Sequence, residues 1–76
     1  MARQDSEQKS ELPELLHRLN QPLTAIGNYA QAGSAMVAAG MADREALMAL
    51  FDKIAQQARR GSDIGRELAE AATGGR

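Results

Sequence analysis

The chain has 76 residues, no cysteine, one histidine and a formal net charge of −1. The absence of cysteine excludes disulfides and thiolate metal sites, and a single histidine argues against a structural zinc site, so we expect no bound metal. The charge balance gives no broad basic surface for nucleic acid, and no apolar run approaches the roughly 20 residues that cross a bilayer. Alanine, leucine, glutamate, glutamine and arginine dominate, which favours helix. The polar N-terminus shows no secretory signal, so the expected location is the cytoplasm.

The first helix is predicted at about residues 11–39, with Ser10 as its N-cap and Pro13 in its first turn, where a missing N–H costs nothing. Residues 1–10 are polar, and we expect either a flexible segment or an extension of this helix, in which case Pro13 would kink it. Pro22 lies inside an apolar pattern that resumes in phase beyond it, which predicts a kink rather than a break. The pattern alternates spacings of four and three and forms one seam: Leu12, Leu16, Leu19, Leu23, Ile26, Ala30, Gly33 and Val37.

Gly40 predicts the end of the first helix and Asp43 the N-cap of the second, with a turn at residues 40–43. The second helix is predicted at about residues 44–71, and residues 73–76 read as a disordered tail. Its broader apolar stripe comprises Leu47, Leu50, Phe51, Ile54, Ala58, Gly61, Ile64, Gly65 and Leu68.

Two amphipathic helices joined by a short loop predict an all-α antiparallel hairpin over residues 11–72. One hairpin cannot cover both apolar stripes by itself. We therefore expect a homodimer, in which two hairpins form a four-helix bundle and Gly33 and Gly61 permit close approach of the helices.

His17 lies one step off the seam, so it is expected to project from the side of the bundle. Antiparallel pairing about the predicted turn places residues whose numbers add to about 83 side by side, which puts His17 level with Gly65, Arg66 and Glu67. Gly65 leaves room beside the imidazole, and Arg66 and Arg18 offer positive charge to an arriving phosphoryl group. Without a surrounding motif, a solvated surface histidine is the simpler interpretation.

Residues 17–26 read His-Arg-Leu-Asn-Gln-Pro-Leu-Thr-Ala-Ile and resemble the H-box of sensor histidine kinases. The nearest subgroup reads His-Glu-Leu-Asn-Gln-Pro-Leu-Thr-Ala-Ile, so nine of ten positions match, and similarity extends over roughly residues 11–70. The resemblance implies the dimerisation and histidine phosphotransfer domain of a two-component system. It implies that His17 takes the γ-phosphoryl group of ATP from a separate ATP-binding kinase domain and passes it to an aspartate of a response-regulator receiver domain.

The same resemblance gives roles to two further residues and exposes one departure. Gln21 occupies the position that orients water when phosphate is removed from the regulator, and Pro22 matches the proline that bends the first helix. Arg18 stands where the family carries a Glu or Asp that handles the imidazole proton. An arginine cannot be a general base, and losing one costs on the order of 10² in rate, although Arg18 would steady the phosphoryl charge. No ATP-binding motif accompanies the box, so the chain alone is expected to bind no ATP cofactor and not to act as a kinase.

Two other interpretations stay open. The chain would alternatively be a pseudo-kinase scaffold that performs no phosphoryl chemistry and regulates two-component proteins by dimerising with them or docking onto them, which Arg18 favours. A generic coiled-coil spacer explains the heptads but not the box. Arg59 and Arg60 read more simply as a solvated face than as a docking site for an acidic partner, and Asn20 more simply as a surface polar group than as a regulator contact.

Overall fold

The computed structural model describes the backbone of residues 2–73 and the side chains of residues 11–73. In this part of the chain, two helices pack into a hairpin: α1 spans Ala2–Ala38 and α2 spans Arg44–Ala72. The molecule measures 60 × 17 × 12 Å, which is the shape of a rod. The predicted all-helical hairpin is confirmed. Neither described helix contains a stretch that is long and apolar enough to span a bilayer.

The start of α1 differs from the prediction. The helix begins at Ala2 rather than near residue 11, so Ser10 lies inside it and is not its N-cap. Residues 2–10, for which we expected a flexible segment or a helical extension, belong to the helix; they include Arg, Gln, Glu and Lys, which favour helix, and no Gly or Pro. Pro13 therefore lies in the helix interior, where it removes one backbone hydrogen bond, and its ring is exposed.

The turn between the helices follows the prediction closely. Gly40 has a φ of 71°, and the N–H groups of Gly40 and Met41 donate to the carbonyls of Val37 and Met36 at 3.1 and 2.9 Å. This pair of bonds is a Schellman motif, which ends α1 at a glycine. The Asp43 carboxylate then accepts from the Ala46 N–H at 3.0 Å and caps α2. The predicted stop and cap are confirmed; of the predicted tail, residues 74–76 lie outside the described residues.

Two of the four glycines inside the helices show the register of the hairpin. A Cβ placed on Gly33 would lie 3.5 Å from Leu50 Cδ1, and one placed on Gly61 would lie 3.8 Å from Pro22 Cγ. Each pair of residue numbers adds to 83, as the sequence predicted. The helices therefore approach closely within one hairpin at both glycines.

The packed face of α1 is only half of the predicted seam. Leu12, Leu19, Ile26 and Gly33 are half-buried, as expected. Between them, however, the packed residue is the one just before the predicted residue. Leu15, which is 4% exposed, packs against α2 in place of Leu16. Pro22 is fully buried at the equivalent position one heptad on. A single partner helix covers one flank of a broad apolar stripe, and α2 takes this flank.

The other flank forms an exposed apolar face. Its α1 members, Leu16, Leu23, Ala30 and Val37, repeat every seven residues, and Met48 and Phe51 of α2 are likewise exposed. Exposure of the larger side chains in this set runs from 50% for Leu16 to 63% for Phe51. An open groove of about 240 Å³ between the helices joins Ala30 and Val37 to Phe51, so both helices contribute to one surface. We call Leu16, Leu23, Ala30, Val37, Met48 and Phe51 the apolar face.

Candidate functional site

His17 lies on the surface of α1 that faces away from α2. It follows the buried Leu15 by two residues, which corresponds to about 200° of helical rotation, and its side chain is exposed. It also follows Leu16 of the apolar face by one residue, or about 100°. The imidazole is therefore accessible from solvent beside, rather than within, the apolar face.

An open groove of about 380 Å³ runs along this outer surface of α1 for three turns of helix from His17. Gln21 lies one turn beyond the imidazole in the groove, and Asn20 flanks it, so these two residues of the box share the surface of His17, whereas Arg18 and Pro22 do not line it. No Asp, Glu, Lys or Arg lines the groove, whose lining residues are His17, Asn20, Gln21, Thr24, Ala25 and Asn28. The groove therefore presents amide groups and one hydroxyl as hydrogen-bonding groups to a partner.

Arg18 forms an ion pair with a residue of α2. Its Nη1 lies 3.6 Å from Oε1 of Glu67, and the two side chains are 45% and 55% exposed. Among the described side chains this is the ion pair that joins α1 to α2. The positive charge next to His17 is therefore directed along the hairpin toward α2.

Arg66, the other arginine expected beside the phosphoryl group, contacts its own helix. Its Nη1 lies 3.7 Å from Asp63 Oδ1, and both side chains are largely exposed. At Gly65 an added Cβ would meet nothing within 4 Å. Because His17 lies on the surface of α1 that faces away from α2, Gly65 does not line the groove beside the imidazole, and the predicted room next to the ring is not provided by Gly65. A contact between Arg66 and the phosphoryl group stays a prediction.

Pro22 connects the box to the core. Its ring is fully buried against α2, and α1 continues through it without a break, as expected. Because proline has no N–H, the carbonyl of Arg18, four residues earlier, lacks its helical donor. The bend predicted at this point stays a prediction.

Three residues at the site were not singled out as functional by the sequence. Thr24 and Asn28 line the groove, and a search for polar residues seven and eleven positions after His17 would have found them. The predicted register placed Glu67 level with His17, but it did not predict the ion pair between Glu67 and Arg18. Arg18 and Glu67 carry opposite charges at neighbouring levels of the two helices, and this pattern could have predicted the ion pair.

No family model, curated protein or solved structure matches the chain. Among the described residues, no group of three or more His, Asp or Glu side chains is arranged to hold a metal ion.

Proposed function

We propose that the chain is a dimerisation and phosphoacceptor module of a two-component signalling system, with His17 carrying the phosphoryl group. The observation that carries the proposal is the exposed imidazole at the head of an H-box-like sequence, with Gln21 one turn along the same groove. A phosphoryl carrier has to be reached by a donor and by an acceptor in turn, so its ring must lie on an open surface. The groove fits this requirement.

The groove beside His17 is also suited to a protein partner. Its amide and hydroxyl groups extend over three turns of α1, which is a length that a helix or loop of a receiver domain can follow. In this proposal a response-regulator receiver domain docks here and brings its aspartate to the phosphorylated ring. A histidine-kinase ATP-binding domain, acting from a separate chain or segment in the cytoplasm, supplies the phosphoryl group from ATP.

The dimer is part of the same proposal, and the exposed surface of the hairpin supports it. Five large side chains of the apolar face, Leu16, Leu23, Val37, Met48 and Phe51, are between 50% and 63% exposed. A continuous apolar surface of this kind is typical of a site that another protein chain covers. In the proposed four-helix bundle, the apolar face of each hairpin packs against that of a second copy, and His17 stays on the outside.

Phosphorylation from ATP tests the proposal. The chain is incubated with [γ-³²P]ATP and the isolated ATP-binding domain of a histidine kinase of the resembled subgroup, with that kinase's own hairpin as a positive control. We expect a label that is stable to base, lost in acid and missing from His17→Gln. Failure to label this chain while the control hairpin is labelled would count against the phosphoacceptor.

The second candidate is a scaffold without phosphoryl chemistry, and the arginine at position 18 favours it. Here the hairpin dimerises with, or docks onto, genuine two-component proteins through the apolar face and regulates them. It predicts that His17→Gln leaves such regulation unchanged, whereas the phosphoacceptor predicts that regulation is lost.

A further inference from the structure

The ion pair between Arg18 and Glu67 controls where the charge next to His17 points. Arg18 is the immediate neighbour of the proposed phosphoacceptor, and its guanidinium lies 3.6 Å from a carboxylate of the other helix. Both side chains are about half exposed, so the pair is solvated and contributes little to the stability of the hairpin. It is therefore easily exchanged for a stronger partner.

A phosphoryl group on His17 would be that partner. It carries close to two negative charges and three acceptor oxygens, and a guanidinium binds such oxygens in a bidentate manner that a single 3.6 Å contact does not provide. Arg18 points about 100° around α1 from His17, so its long side chain would have to swing across the helix surface, away from α2, to reach a phosphoryl group on the ring. Glu67 and the phosphoryl group then compete for one guanidinium.

Resting on the proposed function, we propose that Glu67 is a positioning residue that holds Arg18 against α2 while His17 is unmodified and limits the lifetime of the phosphohistidine once it forms. The phosphoryl oxygens donate electron density as the P–N bond breaks in a loose transition state. A guanidinium hydrogen-bonded to those oxygens withdraws that density and slows cleavage. When Glu67 binds Arg18 again, the electron density returns to the phosphoryl oxygens and cleavage of the P–N bond becomes faster. Phosphorylation of His17 would in turn break the ion pair that links α1 to α2.

The test uses the intact protein and phosphoramidate as the donor, which needs no second protein. The P–N bond of phosphoramidate breaks as a new P–N bond forms to the ring nitrogen, and ammonia leaves with the proton that the ring gives up. After the donor is removed, hydrolysis transfers the phosphoryl group to water and returns the proton to the ring. The decay of the phosphohistidine signal in ³¹P NMR gives the lifetime.

Replacing Glu67 with Gln should lengthen this lifetime about two- to fivefold, since an exposed ion pair competes by no more than a factor of that order. The effect should shrink at 1 M salt, where charges in solvent are screened. Arg18→Gln should shorten the lifetime and make Glu67→Gln silent in the double variant. Glu70→Gln is the matched control: it makes the same substitution at an exposed glutamate three residues further along α2 that forms no ion pair among the described side chains, and it should leave the lifetime unchanged.

Two results would overturn the inference while leaving the phosphoacceptor intact: a normal lifetime in Glu67→Gln, or the same lengthening in Glu70→Gln. Circular dichroism of each variant shows whether the hairpin is folded, and Glu67→Asp, which keeps the charge, should retain most of the wild-type behaviour. If wild-type protein acquires no signal that His17→Gln lacks, both the inference and the proposed function fail.

Discussion

In the phosphoacceptor that we propose, the side chain that follows His17 would govern how a phosphoryl group arrives at the ring and how long it stays there. Arg18 places a permanent positive charge at this position and shares it with Glu67 across the hairpin. A cation steadies phosphoryl charge but cannot accept the imidazole proton. Under the proposed function, Arg18 would therefore favour keeping a phosphoryl group over acquiring one from ATP.

Arg18→Glu should reverse that balance. A carboxylate beside the ring supplies the missing proton acceptor, so the initial rate of labelling from ATP by a supplied ATP-binding domain should rise by up to about 10². The matched variant is Arg18→Glu with Glu67→Arg, which restores an opposite-charge pair between the helices. An unchanged rate in both variants would favour the scaffold over the phosphoacceptor.

Gly27 offers a stability test that is independent of function. An added Cβ there would meet nothing within 4 Å, so the close packing that explains Gly33 does not apply to it within the hairpin. Gly27→Ala should stabilise the protein by about 1 kcal/mol, because alanine is the better helix former. Chemical denaturation measures the change. Gly40→Ala is the contrasting control and should destabilise, since its φ of 71° is strained for alanine; a loss of stability in Gly27→Ala would reveal a partner at that position.

At the scale of the helices, local capping sets where α2 begins and hence the register of the hairpin. The Asp43 carboxylate accepts from the Ala46 N–H at 3.0 Å. Asp43→Ala should cost about 1 kcal/mol of unfolding free energy, whereas Asp43→Asn should be nearly neutral because asparagine caps equally well. Thermal denaturation of the two variants measures this difference, and equal melting temperatures would show that the cap does not contribute.

The turn and the register could be predicted because they depend on local chemistry. Gly40 and Asp43 carry strong signals, and once the turn is placed, antiparallel geometry fixes which residues face each other. The start of α1 could not be predicted, because Ser10 and Pro13 are typical of the first turn of a helix but also occur inside a long helix, as they do here. The packed flank was missed because positions 15 and 16 are both leucine, and a period alone does not say which one a single partner helix covers.

The site was predicted in part for the same reason. His17 and Gln21 share one helix, so their spacing placed them on one surface. Arg66 was predicted to lie beside the phosphoryl group only because it is level with His17 in the hairpin. It instead contacts Asp63, which lies three residues earlier on the same helix. Side-chain choice between nearby partners depends on rotamers, and these are not encoded in spacing.

At the scale of the whole molecule, the hairpin has little interior of its own. Among the described residues, Leu15 and Ile64 are its buried apolar side chains together with the Pro22 ring. Two helices with so small a core are marginally stable, and association is the usual remedy for a domain of this size. The dimer that we propose would supply the missing core through the apolar face.

Leu23→Asp should break this dimer. The substitution places a charge on the apolar face, and we expect the dissociation constant to rise by about 100-fold. Sedimentation velocity should show a species of twice 8.1 kDa for the wild type and a lighter one for the variant. Asn28→Asp adds the same charge on the outer groove and should leave the dimer intact. A wild-type protein that sediments as a monomer at high micromolar concentration would contradict the four-helix bundle.

If His17 is a phosphoryl carrier, as we propose, it should pass its phosphoryl group to the aspartate of a receiver domain, and this transfer can be followed in vitro. Protein phosphorylated by phosphoramidate and freed of the donor is mixed with isolated receiver domains, and both partners are followed on phosphate-affinity gels. We expect that at least one receiver gains a phosphoryl group within minutes while His17 loses it, and that His17→Gln transfers none. A phosphorylated protein that decays at the same rate with and without every receiver tested would contradict it.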